Sequence, residues 1–500
     1  MSHSILIGTA HMAASRNLPH LAAAAALALA GCAALPDLGA APAPRAAASV
    51  AAAQSFAGAA AAWPGDAWWT AYGDPQFSAL VEEGLRNGPD IAAAAARFRA
   101  AAGYAQQVAG VEYPSVDVTG DAGWQKQSYN NGFPREFLPK GWQDRGQAAL
   151  EAGFDLDLWG KNRAAIAAAE GEARAAEIET RQAALMLATA IGDAYADLAR
   201  LYAVRDIQVR TLALRAATQK LVADRESNGL ETRGSVRQSE STAATARANL
   251  AAADEAIALR RHQIAALVGA GPDRALGIGR PQLAALTAQG LPADATTALV
   301  ARRPDVAAAL IRTSAAAERI TAARADFFPA VRLSALVGLQ ALGLDQLVDR
   351  GSTFGNVGPA ISLPIFHGGA IGGQYRRARA DYDAAVANYD RTVVTAYREV
   401  ADAVTSRAML ARRLVETRAA RAAAEQAYAI ARQRYEGGLS TYLDVLTVED
   451  RLLSARQAVA ELEVRGFALD LMLIRALGGG VATAAAAPAQ AAPAQDVSHG

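Results

Sequence analysis

One pattern of residues occurs twice in this chain, about 215 residues apart, and that duplication limits the folds it can adopt. In the first copy, Pro89-Asp90 begins an Ala-rich helical stretch that ends at Tyr113-Pro114. In the second copy, Pro304-Asp305 and Phe328-Pro329 enclose a stretch of the same length. A period this long is too large for a solenoid repeat. The duplication therefore predicts two copies of one helix–hairpin–helix unit that pack together.

Long helices account for most of each copy, which the sequence places in residues 63–270 and 271–480. Stretches without proline, bounded by Gly and Pro, predict helices at about 91–112, 163–227, 232–268, 305–327, 370–434 and 441–476. A helix of about 65 residues is roughly 100 Å long. Tyr375, Tyr382 and Tyr389 recur every seven residues, which predicts left-handed supercoiling but would also suit an ordinary coiled-coil stalk. The predicted fold class is mainly α with a small β part.

The first 31 residues have the features of a secretion signal. Residues 21–31 form an apolar run of signal-peptide length that is too short to span a bilayer as a helix. The run ends in Leu29-Ala30-Gly31-Cys32, which resembles the lipobox of bacterial lipoproteins, so Cys32 is predicted to carry a covalent lipid. The alternative is a buried thiol in an Ala-rich helix. Translation from Met12 instead of Met1 would place Arg16 near the front of the signal.

Two segments contain too little large apolar surface for a packed core. Residues 32–62 are rich in Ala, Pro, Gly and Ser, which predicts a flexible tether behind Cys32. Residues 481–500 predict a disordered Ala/Pro/Gln tail. Order is expected to begin at Trp63, and a short helix is expected between Pro75 and about Arg86.

Composition excludes several functional classes. Lys and Arg number 49 and so do Asp and Glu, whereas a nucleic-acid partner would require a basic surface. Cys32 is the sole cysteine, and the six histidines form no cluster in the sequence. The residues therefore predict neither an enzyme nor a cofactor, apart from the lipid on Cys32.

Four stretches alternate between apolar and polar residues with the period of two that is typical of strands. They lie at about 115–124, 147–158, 330–340 and 354–365. One face is predicted to line water, and its candidate residues are Asp117, Thr119, Asp121, Glu151, Asp155, Asp157, Arg332 and Ser334. The opposite face is apolar, as at Val118, Leu156 and Leu333. Such strands suit a barrel with lipid outside and water inside.

A soluble, half-buried sheet would show the same alternation. The context favours the membrane, because no amphipathic helix is left over to cover such a sheet and the lipobox indicates export. Ala rather than Asp follows Cys32, which by resemblance to enterobacterial sorting rules implies the outer membrane. Four strands cannot close a water-filled barrel, which needs eight or more. A homotrimer with twelve strands is therefore predicted.

Residues 63–478 resemble the bacterial outer-membrane efflux channel family, the TolC-like channels, and within it the lipid-anchored drug-efflux lipoproteins. The resemblance rests on Gly73-Asp74-Pro75, the paired Pro-Asp helix starts and Leu363-Pro364-Ile365-Phe366. Its most specific parts are Tyr435-Glu436-Gly437-Gly438-Leu439 and Tyr442-Leu443-Asp444-Val445-Leu446.

The resemblance implies a trimeric tunnel, in which a 12-stranded transmembrane β-barrel continues as a 12-helix α-barrel across the periplasm. Such channels are the exit ducts of tripartite pumps. Their partners are a periplasmic adaptor protein, an inner-membrane transporter and outer-membrane lipid, and they use no cofactor. The implied location is the outer membrane, with a lipid anchor and an extension into the periplasm.

The resemblance also implies a periplasmic gate. Asp444 falls on the main position of an Asp ring that narrows the pore, and Tyr435 matches a Tyr that holds the closed state. The match is partial, because a second acidic ring falls on Thr447 and an Arg partner falls on Ser440. The position equivalent to Asp444 in the first copy is Ser235. The alternative is that Asp444 only serves the first turn of a helix, where carboxylates are favoured.

Two classes of function remain at this point. The first is an exit duct for small molecules such as drugs, although metal-efflux and protein-secretion ducts share the scaffold. The second is a non-conducting periplasmic coiled-coil scaffold lipoprotein, which would have no use for four strands that are polar on one face.

Overall fold

The computed structural model describes residues 35–46, 49–57, 60–130, 132–282 and 290–480. Cys32 and the predicted tail lie outside the described residues. The chain divides into two compact units. The strand unit contains residues up to Pro42, Ala102–Glu172 and Thr313–Ala385, and the helical unit contains Ala43–Ala101, Ala173–Arg312 and Val386 onward.

Eight α-helices occur in the described residues. They are α1 (Pro75–Asn87), α2 (Pro89–Ala109), α3 (Lys161–Ser227), α4 (Arg233–Leu267), α5 (Ala295–Arg302), α6 (Pro304–Ala325), α7 (Ala370–Glu436) and α8 (Tyr442–Ala476). Helices α3 and α7 both have 67 residues, and α4 and α8 both have 35. The duplicated, mainly α fold is therefore confirmed. Helix α5 was not predicted, and it is the shorter counterpart of α1. No helix in the described part of the chain is both long and apolar enough to cross a membrane.

The two 67-residue helices stop for the same local reason. Gly229 and Gly438 follow their C-termini with φ of 72° and 74°, a backbone conformation that favours glycine. The amide of Leu230 then donates to the carbonyl of Arg225 at 2.8 Å, and Leu439 donates to Arg434 at 2.7 Å. These bonds satisfy carbonyls that the helix ends leave without partners, so each helix turns back sharply into the next one.

The strands are β1 (Ala60–Ala61), β2 (Ser115–Gln125), β3 (Gln143–Leu156), β4 (Leu291–Pro292), β5 (Ala330–Leu342) and β6 (Thr353–Ser362). In the strand unit, β2, β3, β5 and β6 form one antiparallel sheet in that order. In the helical unit, β1 and β4 form a short parallel pair. Strand β3 begins four residues before the predicted start, because residues 143–146 pair with β2, and residues 145 and 146 also pair with β5, although their sequence does not alternate.

An aromatic cluster forms the first core of the helical unit. Phe77 of α1 stacks on Tyr195 of α3 at 5.3 Å and meets Phe467 of α8 edge-on at 5.6 Å. Tyr195 donates its hydroxyl hydrogen to Asp74 Oδ2 at 2.7 Å, while Asp74 Oδ1 accepts the amide of Gln76 at 2.9 Å as the cap of α1. The Gly-Asp-Pro segment therefore serves both to begin α1 and to fix it on α3.

The segment at 35–57, which we call the N-terminal strap, lies within the tether that composition predicts to be flexible. In the strand unit, Tyr382 donates its hydroxyl hydrogen to the carbonyl of Pro42 at 3.0 Å. In the helical unit, the amide of Arg45 donates to Asp390 Oδ1 at 2.9 Å, and Phe56 stacks on Tyr397 at 5.7 Å. The described part of this segment therefore contacts α7 through one aromatic ring and through hydrogen bonds of its backbone groups, and the flexibility of the tether stays a prediction.

Candidate functional site

The predicted polar residues of β2, β3 and β5 lie on one face of the sheet. Asp117 of β2 pairs in register with Glu151 of β3, and Asp155 of β3 pairs with Arg332 of β5. Ser334 of β5 lies opposite Gly358 of β6. Since alternate residues of a strand point to the same side, these register pairs place the predicted polar residues of three strands on one surface.

Side-chain contacts on this face join neighbouring strands. Thr119 donates its hydroxyl hydrogen to Glu151 Oε1 at 3.0 Å, Arg145 binds Asp121, and Arg332 Nε lies 3.7 Å from Asp155 Oδ1. All of these charged groups are partly exposed, so each pair contributes little to stability. Their main effect is to make this face hydrophilic and mixed in charge.

The opposite face of the sheet is apolar and bare. Val118 of β2 is 80% exposed and Val357 of β6 is 84% exposed. Leu150, Leu333 and Ile361 are also exposed on this face. In the described part of the strand unit, no helix or loop covers these side chains, and a soluble monomer rarely leaves so large an apolar patch in water. The surface suits contact with lipid.

Exposed aromatic side chains lie at both ends of the sheet. Tyr113, Trp159 and Phe366 lie where the strands connect to the helices, and Trp124 and Trp142 lie near the β2–β3 connection. Aromatic side chains favour the two headgroup layers of a membrane, where an apolar ring can meet a polar surface. The apolar face is thus bordered by aromatic residues at both ends.

Asp157 does not belong to this face, and its prediction as a pore-facing strand residue is wrong. Strand β3 ends at Leu156. The carboxylate of Asp157 instead accepts the amides of Asn162 at 3.0 Å and Arg163 at 2.9 Å. Burial alone would raise the pKa of Asp157, but these two hydrogen bonds and the Arg163 side chain outweigh burial and lower the pKa. The alternation in the sequence continues past the end of β3, but the Asp157 carboxylate caps the first turn of α3 and takes no part in the sheet.

A second candidate site lies in the helical unit, where the turns after α3 and α7 meet. Tyr435 of α7 is only 1% exposed, and its hydroxyl donates to Glu231 Oε2 at 2.9 Å. The guanidinium of Arg225 lies over the Tyr435 ring, 4.8 Å from its centroid. Arg225 also donates to the carbonyl of Glu436 at 3.3 Å. Arg225 and Glu231 belong to the first copy and Tyr435 to the second, so this trio joins the two helical hairpins.

The charge on Glu231 is stabilised in this position. Burial alone would raise the pKa of Glu231, but hydrogen bonds from the Thr232 amide, Ser235 and Tyr435, together with the Arg225 charge, lower it. The pKa of Tyr435 is raised, chiefly by burial and then by its bond to the Glu231 carboxylate. The hydroxyl therefore remains protonated and continues to donate at all physiological pH values.

Asp444 is exposed and lies in the first turn of α8. Its carboxylate accepts the backbone amide of Thr441 at 2.9 Å and the Thr441 hydroxyl at 2.8 Å, while the Asp444 amide donates to Thr441 Oγ1 at 3.3 Å. This reciprocal capping box begins α8. The same hydrogen bonds lower the pKa of Asp444. Asp444 thus helps to cap the N-terminus of α8, and its carboxylate stays ionised and exposed to solvent.

A buried ion pair also links α3 to α8. Arg215 of α3 binds Glu449 of α8 at 3.0 Å and Asp450 at 2.7 Å, and Glu449 is 1% exposed. Burial raises the pKa of Glu449, although Arg215 opposes that effect. Arg215 also donates to the carbonyl of Thr242 at 3.3 Å. The pair ties α8 of the second copy to α3 and α4 of the first.

Sequence reasoning missed Arg225 and Glu231, although one signal was available. The resemblance placed an Arg partner on Ser440, so the sequence did not identify the acceptor of the Tyr435 hydroxyl. The turns after α3 and α7 are 209 residues apart, as Gly229 and Gly438 show, so the position equivalent to Ser440 in the first copy is Glu231. The structure therefore places the partner of Tyr435 on the opposite hairpin, at the matching turn.

Comparisons with known proteins agree with these features. The profile of the family described as "Outer membrane efflux protein" matches residues 80–270 and 296–479. The chain is 29% identical to the multidrug resistance outer membrane protein MdtP of Shigella flexneri, over 84% of this chain and 88% of that protein. It is 30% identical to the toluene efflux pump outer membrane protein TtgF of Pseudomonas putida, over 83% of this chain and 85% of that protein.

A solved structure extends the likeness to the fold. The outer membrane protein VceC from Vibrio cholerae has a TM-score of 0.78 and 44% sequence identity, and the likeness covers 84% of this chain and all of that one. The chain therefore belongs to the outer membrane efflux protein family and is an exit duct of an efflux pump in the outer membrane.

Proposed function

We propose that three copies of this chain form a lipid-anchored tunnel that passes small molecules such as drugs out of the periplasm. The observation that carries this proposal is the sheet, whose predicted polar residues share one face while the other face is apolar and exposed. The names of the relatives support small-molecule cargo, since they refer to multidrug resistance and toluene efflux.

Closure of the sheet requires more than one chain. In the described residues, β2 pairs only with β3 and β6 pairs only with β5, so both edges of the sheet are free. Unpaired backbone groups are very unfavourable in the hydrocarbon core. Because β2 and β6 run in opposite directions, β6 of one copy can pair antiparallel with β2 of the next. Three copies then close a 12-stranded barrel whose polar face lines the pore.

The tunnel is proposed to work with a periplasmic adaptor and an inner-membrane transporter, which together supply the energy and the cargo. Cys32 supplies the lipid anchor. The N-terminal strap would connect the anchor to the body of the protein, since its described residues bind α7 through Tyr382 and Asp390.

The turns after α3 and α7 are proposed to form the periplasmic gate. The bond from Tyr435 to Glu231 links the two hairpins of one chain, so any movement of one hairpin away from the other must break it. Asp444 is ionised and exposed at the first turn of α8. Three such carboxylates around a trimer axis would repel one another and would attract divalent cations. The trio holds the gate closed, and the three Asp444 carboxylates make the pore at the gate prefer cations.

The proposal is tested with the full chain purified from outer membranes in mild detergent. Native mass spectrometry should give a trimer, and planar bilayers should show single-channel conductance from the same preparation. The transporter and the adaptor should be recovered with it after chemical cross-linking in cells. A monomer that inserts but does not conduct would contradict the tunnel and would favour a scaffold role.

A further inference from the structure

The connection between β2 and β3, residues 126–142, has an unusual composition, and we call it the outer hairpin. The chain has four lysines, and Lys126 and Lys140 both lie in this segment together with Arg135. One carboxylate, Glu136, accompanies them, so the segment has a net charge of +2 in a chain whose net charge is zero. The connection between β5 and β6 shows no such excess, since Asp345 and Asp349 there face a single Arg350.

The cations of the outer hairpin are available for a ligand. Lys126, Arg135 and Lys140 are all exposed. Among the described residues, none of them forms an ion pair, and Arg135 makes only a hydrogen bond to Asn130 Oδ1 at 3.1 Å. Charged groups of the same sheet behave differently, because Arg145 binds Asp121 and Arg332 lies beside Asp155.

The outer hairpin is held in shape by its own contacts, which leave its apolar rings exposed. The amide of Gly141 donates to the Tyr129 hydroxyl at 2.8 Å, and Gln143 donates to the carbonyl of Lys140 at 2.8 Å. Phe133, Phe137 and Trp142 nevertheless remain 66% to 79% exposed. A segment that is ordered and yet presents both rings and unpaired cations matches a membrane interface, where rings enter the headgroup layer and cations meet phosphate.

We propose that the outer hairpin binds the phosphate groups of outer-leaflet glycolipid through Lys126, Arg135 and Lys140, with its aromatic rings seated among the headgroups. This inference rests on the proposed function, in which the β2–β3 connection faces outward because both strands join helices at the other end. The charge of the hairpin complements phosphate. Trp124, at the end of β2 that leads into the hairpin, is also exposed.

The test measures binding of fluorescent diphosphoryl lipid A to the full-length protein in dodecyl maltoside micelles, by fluorescence anisotropy. The hairpin variant carries Lys126→Gln, Arg135→Gln and Lys140→Gln. A matched control variant loses the same charge on the long helices α3 and α7, through Arg210→Gln, Lys220→Gln and Arg412→Gln, all at exposed positions. Each cation near an anionic surface changes affinity about fivefold, so the hairpin variant should bind on the order of 100-fold more weakly.

The control variant should stay within threefold of the wild type, and both variants should conduct normally in planar bilayers. The two proposals are tested separately: the tunnel is contradicted if the wild type does not conduct, whereas the hairpin proposal depends only on lipid A affinity. Equal lipid A affinity in the hairpin and control variants would overturn the proposal. Displacement of lipid A from the wild type by millimolar inorganic phosphate would also overturn it, since the site would then bind free phosphate rather than lipid.

Discussion

Removal of a single oxygen atom at Tyr435 should open the proposed gate. The Tyr435→Phe substitution keeps the buried ring and its contact with Arg225 but removes the hydroxyl that donates to Glu231 Oε2 at 2.9 Å. A hydrogen bond to a charged acceptor contributes roughly 1.5 to 3 kcal/mol when it is shielded from water. Glu231 is partly exposed and water can replace the lost donor, so about 1 kcal/mol per subunit is a suitable estimate.

The consequence depends on how the trimer opens. If all three hairpin pairs separate together, the effects add to about 3 kcal/mol, and the ratio of open to closed states rises roughly 150-fold. If each subunit opens alone, the ratio rises only about fivefold. Single-channel recording in planar bilayers measures this ratio directly. Uptake of vancomycin by intact cells should rise in parallel, because an open duct admits large antibiotics.

Tyr442→Phe is the matched control for this substitution. Tyr442 is buried in the same cluster, but its hydroxyl lies 3.4 Å from the neutral Thr242 hydroxyl. That long, uncharged contact contributes little, so this variant should conduct almost like the wild type. An unchanged open ratio in Tyr435→Phe, or an equal increase in both variants, would show that the bond to Glu231 does not hold the closed state.

Three shorter predictions concern the anchor, the pH response and the pore entrance. Cys32→Ser should abolish labelling of the protein by radioactive palmitate while the trimer still assembles, and persistent labelling would contradict the lipobox. Folding lowers the pKa of Glu231 from its ordinary value of 4.5. The ionised Glu231 carboxylate therefore stabilises the closed gate fully above pH 4.5, and this stabilisation is lost as the pH falls through the lowered pKa. The wild type should thus open more often in acid, and Glu231→Gln should lack that part of the response in bilayer recordings. Asp444→Ala should weaken block by periplasmic divalent cations without a higher opening frequency, whereas unchanged block would place Asp444 away from the constriction.

The long elements could be predicted from the sequence because local signals define them. Glycine can adopt the positive φ that ends α3 and α7, and Thr232 and Thr441 cap the helices that follow. The 209-residue offset between these turns is visible in the sequence, so the equal lengths of the repeated helices follow from it. Alternation likewise identified the polar and apolar faces of the strands.

The remaining features depend on contacts between distant residues, which local patterns do not encode. Asp157 continues the alternation of β3, yet its carboxylate belongs to the start of α3, so periodicity alone assigned it to the wrong element. Phe56 packs against Tyr397, which lies more than 300 residues away in the sequence. Glu231 binds Tyr435 only because two hairpins meet at their ends. The composition of the strap and the motif at Tyr435 could not reveal these contacts.

The most direct test of the account concerns the two faces of the sheet. Cysteine is placed at Asp117 on the polar face or at Val118 on the apolar face, and a charged, water-soluble thiol reagent is added during single-channel recording. The account predicts a stepwise fall in conductance for Asp117→Cys, in up to three steps for a trimer, and no change for Val118→Cys. Equal responses of the two variants, or a response of Val118→Cys alone, would contradict the claim that the polar face lines the pore.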